Sequence, residues 1–155
     1  MGANRGKEWE DLFKTLCGVK GVQCVRFHDT LYSNKKGVDN PCDFVISKDR
    51  NSEGILIECK ACENSSFSLS KFKQMPRLVA LTNFKSYVVI WLVSIKKVYA
   101  FPVDKLNKLC EEKGLKTISE RAMQKNQELN SIAILLTDRW KRVKPIDLDI
   151  NRLWD

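Results

Sequence analysis

The stretch Gly54-Ile-Leu-Ile-Glu-Cys-Lys60 places a carboxylate and an ammonium at the end of an apolar run. The run predicts a buried strand, along which side chains alternate between two faces. Glu58 and Lys60 therefore project from one face, whereas Ile57 and Cys59 project from the other. Charged side chains beside a buried run cost free energy, so we expect them to bind a ligand. We infer that this ligand is a divalent metal ion.

A second acidic residue lies upstream, in Pro41-Cys-Asp-Phe-Val-Ile46, which opens another predicted strand. Carboxylate oxygens are preferred ligands of hard cations such as Mg²⁺. We expect Asp43 and Glu58 to bind the metal, and Lys60 to lie beside a nucleophilic water. The Glu-x-Lys tripeptide alone also fits a strand whose charged end emerges into solvent, because such short motifs occur often by chance.

A helix predicted over Lys7–Cys17 can bring a further carboxylate to this site. Its apolar residues recur at helical spacing and form one stripe, which consists of Trp9, Leu12, Phe13 and Leu16. Glu8 and Glu10 flank this stripe, one on each side. Periodicity alone does not choose between them.

The remaining pattern predicts an α/β protein in which helices flank a mixed central β-sheet. Strands are predicted at 21–28, from 42, and at 54–61, 86–95, 98–101 and 131–136; further helices are predicted at 69–81 and 104–113 and from 117. Pro76 predicts a break in the 69–81 helix, and Asp104 and Thr117 are the predicted helix caps. Polar loops are predicted at 30–40 and 63–67. The length favours a single domain, 1–155.

The composition indicates a globular protein that favours polyanionic partners. The chain is 43% hydrophobic and 30% charged, with a net charge of +8, and basic residues that neutralise phosphates release counterions. Its first residues lack the apolar segment of a signal peptide, and its longest apolar run, Tyr87 to Val93, is too short to span a bilayer. We expect no membrane association and a cytoplasmic location.

The six cysteines could suggest zinc or disulfides. Cys59-Lys-Ala-Cys62 has ligand-like spacing, but no second clustered pair accompanies it, and His28 is the single histidine. Free cysteine behaves as a small hydrophobe. Reduced core residues are therefore favoured for the four that fall in apolar patterns, which are Cys17, Cys24, Cys42 and Cys59.

Several of these motifs, in this order, resemble the PD-(D/E)xK nuclease superfamily and its RecU-type and Hjc-type Holliday junction resolvases. Asn4-Arg5-Gly6-Lys7-Glu8-Trp9-Glu10 resembles the N-R-G-x-x-x-E opening of RecU-type enzymes, and its G-x-x-x-E part is similar to Hjc-type enzymes. Ser66-Phe67-Ser-Leu-Ser-Lys-Phe72 resembles the S-F-x-L segment that follows E-x-K in RecU-type enzymes. The chain departs from the family at Met75-Pro76, where His-Gln is usual, which leaves a role for Gln74 open.

The resemblance implies a restriction-endonuclease-like fold and a homodimer that resolves four-way DNA junctions with Mg²⁺, for which Mn²⁺ can substitute. It selects Glu10 over Glu8. The implied catalytic residues are Glu10, Asp43, Glu58 and Lys60. The implied metal ligands are Asp43, Glu58, the Cys59 backbone carbonyl and Glu10, the last directly or through a water. The implied DNA contacts are Arg5, Lys35, Lys36, Ser66, Lys71, Lys73 and Arg77.

Two other functions fit the same sequence. One is a different PD-(D/E)xK enzyme, such as a repair or restriction-like DNA nuclease with the same metal site. The other is a basic nucleic-acid-binding protein without catalysis, in which substitution of Asp43 or Glu58 would leave function intact.

Overall fold

The computed structural model describes residues 5–27, 42–137 and 148–155. Its eight strands are β1 (Gln23–Arg26), β2 (Phe44–Ser47), β3 (Ile55–Cys62), β4 (Ser66–Ser68), β5 (Lys85–Leu92), β6 (Lys97–Pro102), β7 (Thr117–Ser119) and β8 (Ile134–Thr137). Six of them form a mixed sheet in the order β1-β2-β3-β5-β6-β8, while β4 and β7 form a second, two-stranded sheet. In the large sheet β3 and β5 are parallel, and the other neighbours are antiparallel.

Helices cover both faces of the large sheet. They are α1 (Arg5–Val19), α2 (Met75–Ala80), α3 (Val103–Lys113), α4 (Glu120–Lys125) and α5 (Gln127–Ile132), with 3₁₀ turns at Leu69–Lys71, Val93–Ile95 and Ile150–Trp154. Helix α1 and the last 3₁₀ turn pack on one face, and the other helices pack with the small sheet on the opposite face. This arrangement confirms the predicted α/β class with a mixed, helix-flanked sheet. None of the helices in the three described ranges could cross a membrane.

The apolar stripe of α1 lies against the sheet as predicted. Trp9, Phe13 and Leu16 are fully buried, and the Trp9 and Phe13 rings meet edge to face with centroids 5.9 Å apart. Trp9 Nε1 donates a hydrogen bond of 3.1 Å to the Val89 carbonyl of β5. These contacts fix the rotation of α1 about its axis, and so determine which of its carboxylates reaches the sheet.

Two expectations about the segment after β3 need correction. The predicted helix over 69–81 is a 3₁₀ turn at Leu69–Lys71 followed by α2, and Pro76 lies in the first turn of α2 instead of breaking a longer helix. Proline is tolerated there because the first amides of a helix have no intrahelical acceptor. The predicted loop over 63–67 runs into β4.

Both predicted helix caps were wrong. Helix α3 begins at Val103, so Asp104 lies within its first turn, where a carboxylate interacts favourably with the helix dipole. Thr117 belongs to β7, and Ser119 caps α4 by accepting a hydrogen bond of 3.0 Å from the Ala122 amide. Pairing of β7 with β4 delays the start of α4. The predicted loop over 30–40 lies outside the described residues.

Replacing Trp9 by alanine is expected to lower the free energy of unfolding by about 3–5 kcal/mol, because the change leaves a cavity in the core. Urea denaturation measures this loss. Lys14→Ala, on the exposed side of the same helix, is the matched control and is expected to change stability by less than about 0.5 kcal/mol. A Trp9→Ala loss as small as that of the control would contradict the packing described for α1.

Candidate active site

Strand β3 presents its two charged residues on one face. Lys60 Nζ lies 3.0 Å from Glu58 Oε2, while Ile57 and Cys59 project into the core beneath α1. The predicted alternation is therefore confirmed. Glu58 is only 2% exposed, so the alternative of a charged strand end that emerges into solvent does not hold for this residue.

Asp43 reaches the same place because of the register between β2 and β3. Phe44 pairs with Ile57 in this antiparallel ladder, so Asp43, one residue before β2, lies opposite Glu58. The Asp43 amide donates to the Ile57 carbonyl at 3.1 Å. Its carboxylate accepts a hydrogen bond of 2.8 Å from the Cys59 amide to Oδ2. The backbone of β3 thus orients the Asp43 side chain.

Helix α1 contributes Glu10 as the third carboxyl group. The Glu10 carboxyl lies near enough to Asp43 for the charge of Asp43 to raise its pKa. Glu8 is instead paired with Arg5 at 2.9 Å. The structure therefore places Glu10, and not Glu8, beside the acidic pair of the sheet.

Burial changes the ionisation of all three groups, and repulsion by a neighbouring carboxylate adds to it for Glu10 and Glu58. Burial, followed by the charge of Asp43, raises the pKa of Glu10 to about 7 and the pKa of Glu58 to about 7. Burial also raises the pKa of Asp43, against the opposing effects of the Cys59 amide and the Lys60 ammonium. Neighbouring like charges disfavour one another's ionisation, and a cation bound between them would remove that penalty.

The donor set fits a hard divalent cation. Glu58 Oε1 is buried and has no hydrogen-bond partner among the described residues, and carboxylate oxygens are suitable ligands for Mg²⁺. Within 5–27, 42–137 and 148–155, no three histidine, cysteine, aspartate or glutamate side chains are already arranged around one ion position. The raised pKa values keep Glu10 and Glu58 partly protonated near neutral pH, and Glu58 also pairs with Lys60. A bound cation would take over the charge balance that these protons supply.

Arg26, at the end of β1, is a site residue that the sequence did not reveal. Its Nη2 lies 3.6 Å from Glu10 Oε1 and 3.1 Å from Asp11 Oδ1, and its guanidinium lies 5.4 Å from the Phe44 ring centroid. Its charge lowers the pKa of Glu10, against the effect of burial. The contact depends on the pairing of β1 with β2, which the sequence pattern alone does not specify.

The residues expected to contact DNA occupy different environments. Arg5 is tied into ion pairs with Glu8 and Glu63 and stacks over the ring of Trp91. The exposed members of the set are Ser66, Lys71, Lys73 and Arg77. Lys35 and Lys36 lie outside the described residues. Gln74 immediately precedes α2, and its Oε1 is buried without a hydrogen-bond partner in the described part of the chain.

All six cysteines are free. Cys17, Cys42 and Cys59 are buried in the core as expected, whereas Cys24 is only half-buried. Cys59 and Cys62 belong to the same strand at odd spacing, and they contact the core on opposite faces of the sheet. These two thiols therefore cannot bind one metal ion.

The raised carboxyl pKa values predict that the metal-free protein loses stability as the pH rises. Glu10 and Glu58 titrate near 7 in the folded chain, against an ordinary value of 4.5. Between these pH values the folded state binds more protons than the unfolded state, so the free energy of unfolding falls with increasing pH. Glu58→Gln removes the buried charge. At about pH 8 it is expected to exceed the wild type in stability by on the order of 1–3 kcal/mol.

Urea denaturation in EDTA at several pH values between about 5 and 8 tests this, because it spans the window set by the two pKa values. Glu112→Gln, at an exposed position of α3, is the control and is expected to follow the wild type at every pH. A stability difference between wild type and Glu58→Gln that is independent of pH would contradict the raised pKa of Glu58.

No protein-family model and no curated protein sequence matches the chain. Among solved structures, the chain is similar to Hjc of Archaeoglobus fulgidus, a Holliday junction resolvase from an archaeal hyperthermophile. The two are 21% identical, the match covers 75% of this chain and 89% of the archaeal one, and the TM-score is 0.50. The likeness concerns the fold, and the chain has the α/β fold of the PD-(D/E)xK nucleases.

Proposed function

We propose that this protein is a metal-dependent endonuclease that hydrolyses phosphodiester bonds in four-way DNA junctions. The observation that carries the proposal is the cluster of the buried Glu58 with the half-buried Glu10 and Asp43, with Lys60 at its edge. Carboxyl groups whose pKa values are raised by burial are unfavourable for stability. Their retention in a fold shared with a resolvase points to a catalytic use.

The residues that would hold the metal are Asp43, Glu58 and the backbone carbonyl of Cys59, with Glu10 binding directly or through a water. Mg²⁺ is the proposed ion, and Mn²⁺ is expected to substitute. When bound, such an ion supplies Lewis acidity and lowers the pKa of water. The protein contributes the orientation: the Cys59 amide holds Asp43, and the core packing of α1 holds Glu10 near it.

Lys60 has a separate role. Its side chain is 21% exposed, so its ammonium reaches both the buried Glu58 and the solvent from which substrate arrives. An ammonium there can donate hydrogen bonds to the attacking water or to a phosphoryl oxygen as negative charge develops. Glu10, with a pKa of about 7, can exchange a proton near neutral pH. Arg26 orients the Glu10 carboxyl and restrains its pKa.

Four-way junctions are proposed as the substrate because of the charge and the fold. A net charge of +8 suits DNA, and the structurally similar Hjc is a Holliday junction resolvase. Symmetric cleavage of a junction needs two active sites, which a two-fold homodimer supplies. The proposed DNA contacts remain Arg5, Lys35, Lys36, Ser66, Lys71, Lys73 and Arg77. To contact a DNA phosphate, Arg5 must give up its ion pair with Glu8 or with Glu63.

Cleavage of a synthetic four-way junction beside linear duplex of the same sequence tests the proposal. We expect paired nicks on the junction, which require Mg²⁺ or Mn²⁺ and stop in EDTA. Asp43→Asn is expected to reduce the rate by at least about a hundredfold, because it removes a charged group from the reacting centre. Asp104→Asn, at an exposed position of α3, is the matched control and should cleave normally.

The outcomes separate the three functions. Cleavage of junction and duplex alike would retain the nuclease and exclude junction specificity, as for a repair or restriction-like enzyme. Binding without cleavage under all metal conditions would overturn the catalytic assignment and leave a basic DNA-binding protein.

The exposed lysines after β4 are expected to contact phosphates. Lys71→Ala combined with Lys73→Ala should weaken junction binding by the Asp43→Asn protein and lower the slope of log K against log salt by about 2, since each lost phosphate contact reduces it by about one. Fluorescence anisotropy over a range of salt concentrations measures the slope. The control is the double variant Lys108→Ala, Lys113→Ala, at exposed positions of α3. If both double variants reduce the affinity and the salt slope equally, the lysines after β4 make no specific phosphate contact.

A further inference from the structure

Arg5, in the first turn of α1, joins three elements beside the proposed active site. Its Nη1 donates a hydrogen bond of 2.9 Å to Glu8 Oε2 on the same helix, and its Nε donates one of 2.8 Å to Glu63 Oε1, one residue beyond β3. The guanidinium also lies over the ring of Trp91, 5.3 Å from the ring centroid. Arg5 therefore connects α1 to the end of β3 and to β5.

These contacts hold the guanidinium in one place. Glu8 and Glu63 accept from different nitrogens of the planar group, and Trp91 supports its face. Trp91 is itself 3% exposed and lies 5.9 Å from the Trp9 ring, so the support belongs to the core. A single surface ion pair orders its partners little, whereas several partners around one rigid guanidinium fix its position. We call this group, which consists of Arg5, Glu8, Glu63 and Trp91, the Arg5 clamp.

The Arg5 clamp joins β3 at the end that carries its charged residues. Trp91 pairs with Ala61 in the parallel ladder of β3 and β5, and Ala61 directly follows Lys60. Glu63 lies three residues beyond Lys60, which is about 10 Å at the rise of a strand. Helix α1 is thus fixed to the same end of β3 that presents Glu58 and Lys60.

The clamp and Arg26 hold α1 from opposite sides. Arg26 of β1 lies 3.6 Å from Glu10, whereas Arg5 pairs with Glu8 and Glu63. Glu8 and Glu10 flank the buried stripe of α1 on its two sides, so rotation of the helix about its axis would lengthen one contact or the other. Without Arg5 the first turn of α1 loses its contact with the end of β3. Glu10, in the second turn, is then less firmly placed beside the carboxyl groups of the sheet.

We propose that Arg5 is a positioning residue for Glu10, and that this role takes precedence over the phosphate contact implied by the resemblance. The inference rests on the proposed function. A positioning residue acts on the chemical step, whereas a phosphate contact acts on substrate binding. Glu63 distinguishes the two roles, because it supports Arg5 in the clamp but would compete with a phosphate for Arg5 in the alternative.

The values of kcat and KM for a four-way junction separate the two roles. Arg5→Ala is expected to lower kcat by roughly 10- to 100-fold with KM almost unchanged, since a small misplacement of a reacting group costs up to this much. Glu63→Gln should also lower kcat. The double variant should be no slower than Arg5→Ala, because residues that act as one unit are not additive. Lys7→Ala, at an exposed position of the same helical turn, is the matched control and should keep the wild-type kcat.

A phosphate contact predicts the opposite pattern. Arg5→Ala would then raise KM without a change in kcat, and would lower the slope of log K against log salt by about one. Glu63→Gln would tighten binding of the junction, because it removes a carboxylate that competes with phosphate. Either result would overturn the positioning role.

Amide hydrogen exchange tests the clamp without any assay of activity. Peptides that cover residues 5–13 should exchange faster in Arg5→Ala and Glu63→Gln than in the wild type or Lys7→Ala, because a helical turn with fewer tertiary contacts opens more often. Unchanged exchange in both variants would overturn the clamp, whatever the cleavage rates. Faster exchange with unchanged cleavage by the variants would reject the positioning role alone. Faster exchange in a protein whose wild type never cleaves DNA would reject the proposed function and leave Arg5 a purely structural residue.

Discussion

The buried Glu58 lies beside the half-buried Glu10 and Asp43, and this grouping costs free energy that the surrounding elements must offset. Glu10, Asp43 and Glu58 would be more stable apart or in solvent. Lys60 and Arg26 offset part of the cost from either side, and the Cys59 amide offsets another part. These interactions leave Glu10 and Glu58 with pKa values near 7. Under the proposed function, a bound cation would replace the protons that these two groups hold near neutral pH.

The scaffold holds these groups together through packing on both sides of the sheet. The buried stripe of α1 sets the position of Glu10, and its indole hydrogen bond ties the helix to β5 at the centre of the sheet. The β2–β3 ladder sets Asp43 opposite Glu58. The parallel pairing of β3 with β5 buries β3 between two strands, which explains why its charged residues are so little exposed. The proposed function and stability thus compete at the same strand.

The sequence predicted the grouping of Asp43, Glu58 and Lys60 in space and a coarser version of the fold, whereas the roles of these residues stay a proposal. The period of two placed Glu58 and Lys60 on one face, because alternation is a local property of a strand. The choice of Glu10 came from resemblance, since both glutamates flank the stripe equally. Arg26 was missed because its contact depends on strand register, which is not local. The β4–β7 sheet was missed because three-residue strands carry too little periodicity to detect.

Proton release on metal binding tests whether a cation replaces the protons of Glu10 and Glu58 in the proposed site. Titration of Mn²⁺ into the protein near pH 7, by calorimetry in two buffers of different ionisation enthalpy, counts the protons displaced from the site. If protons hold the carboxyl groups together, binding should release about one proton or more per ion, and Glu58→Gln should release fewer. Tight binding with no proton release, or equal release by the variant, would show that the cation binds elsewhere.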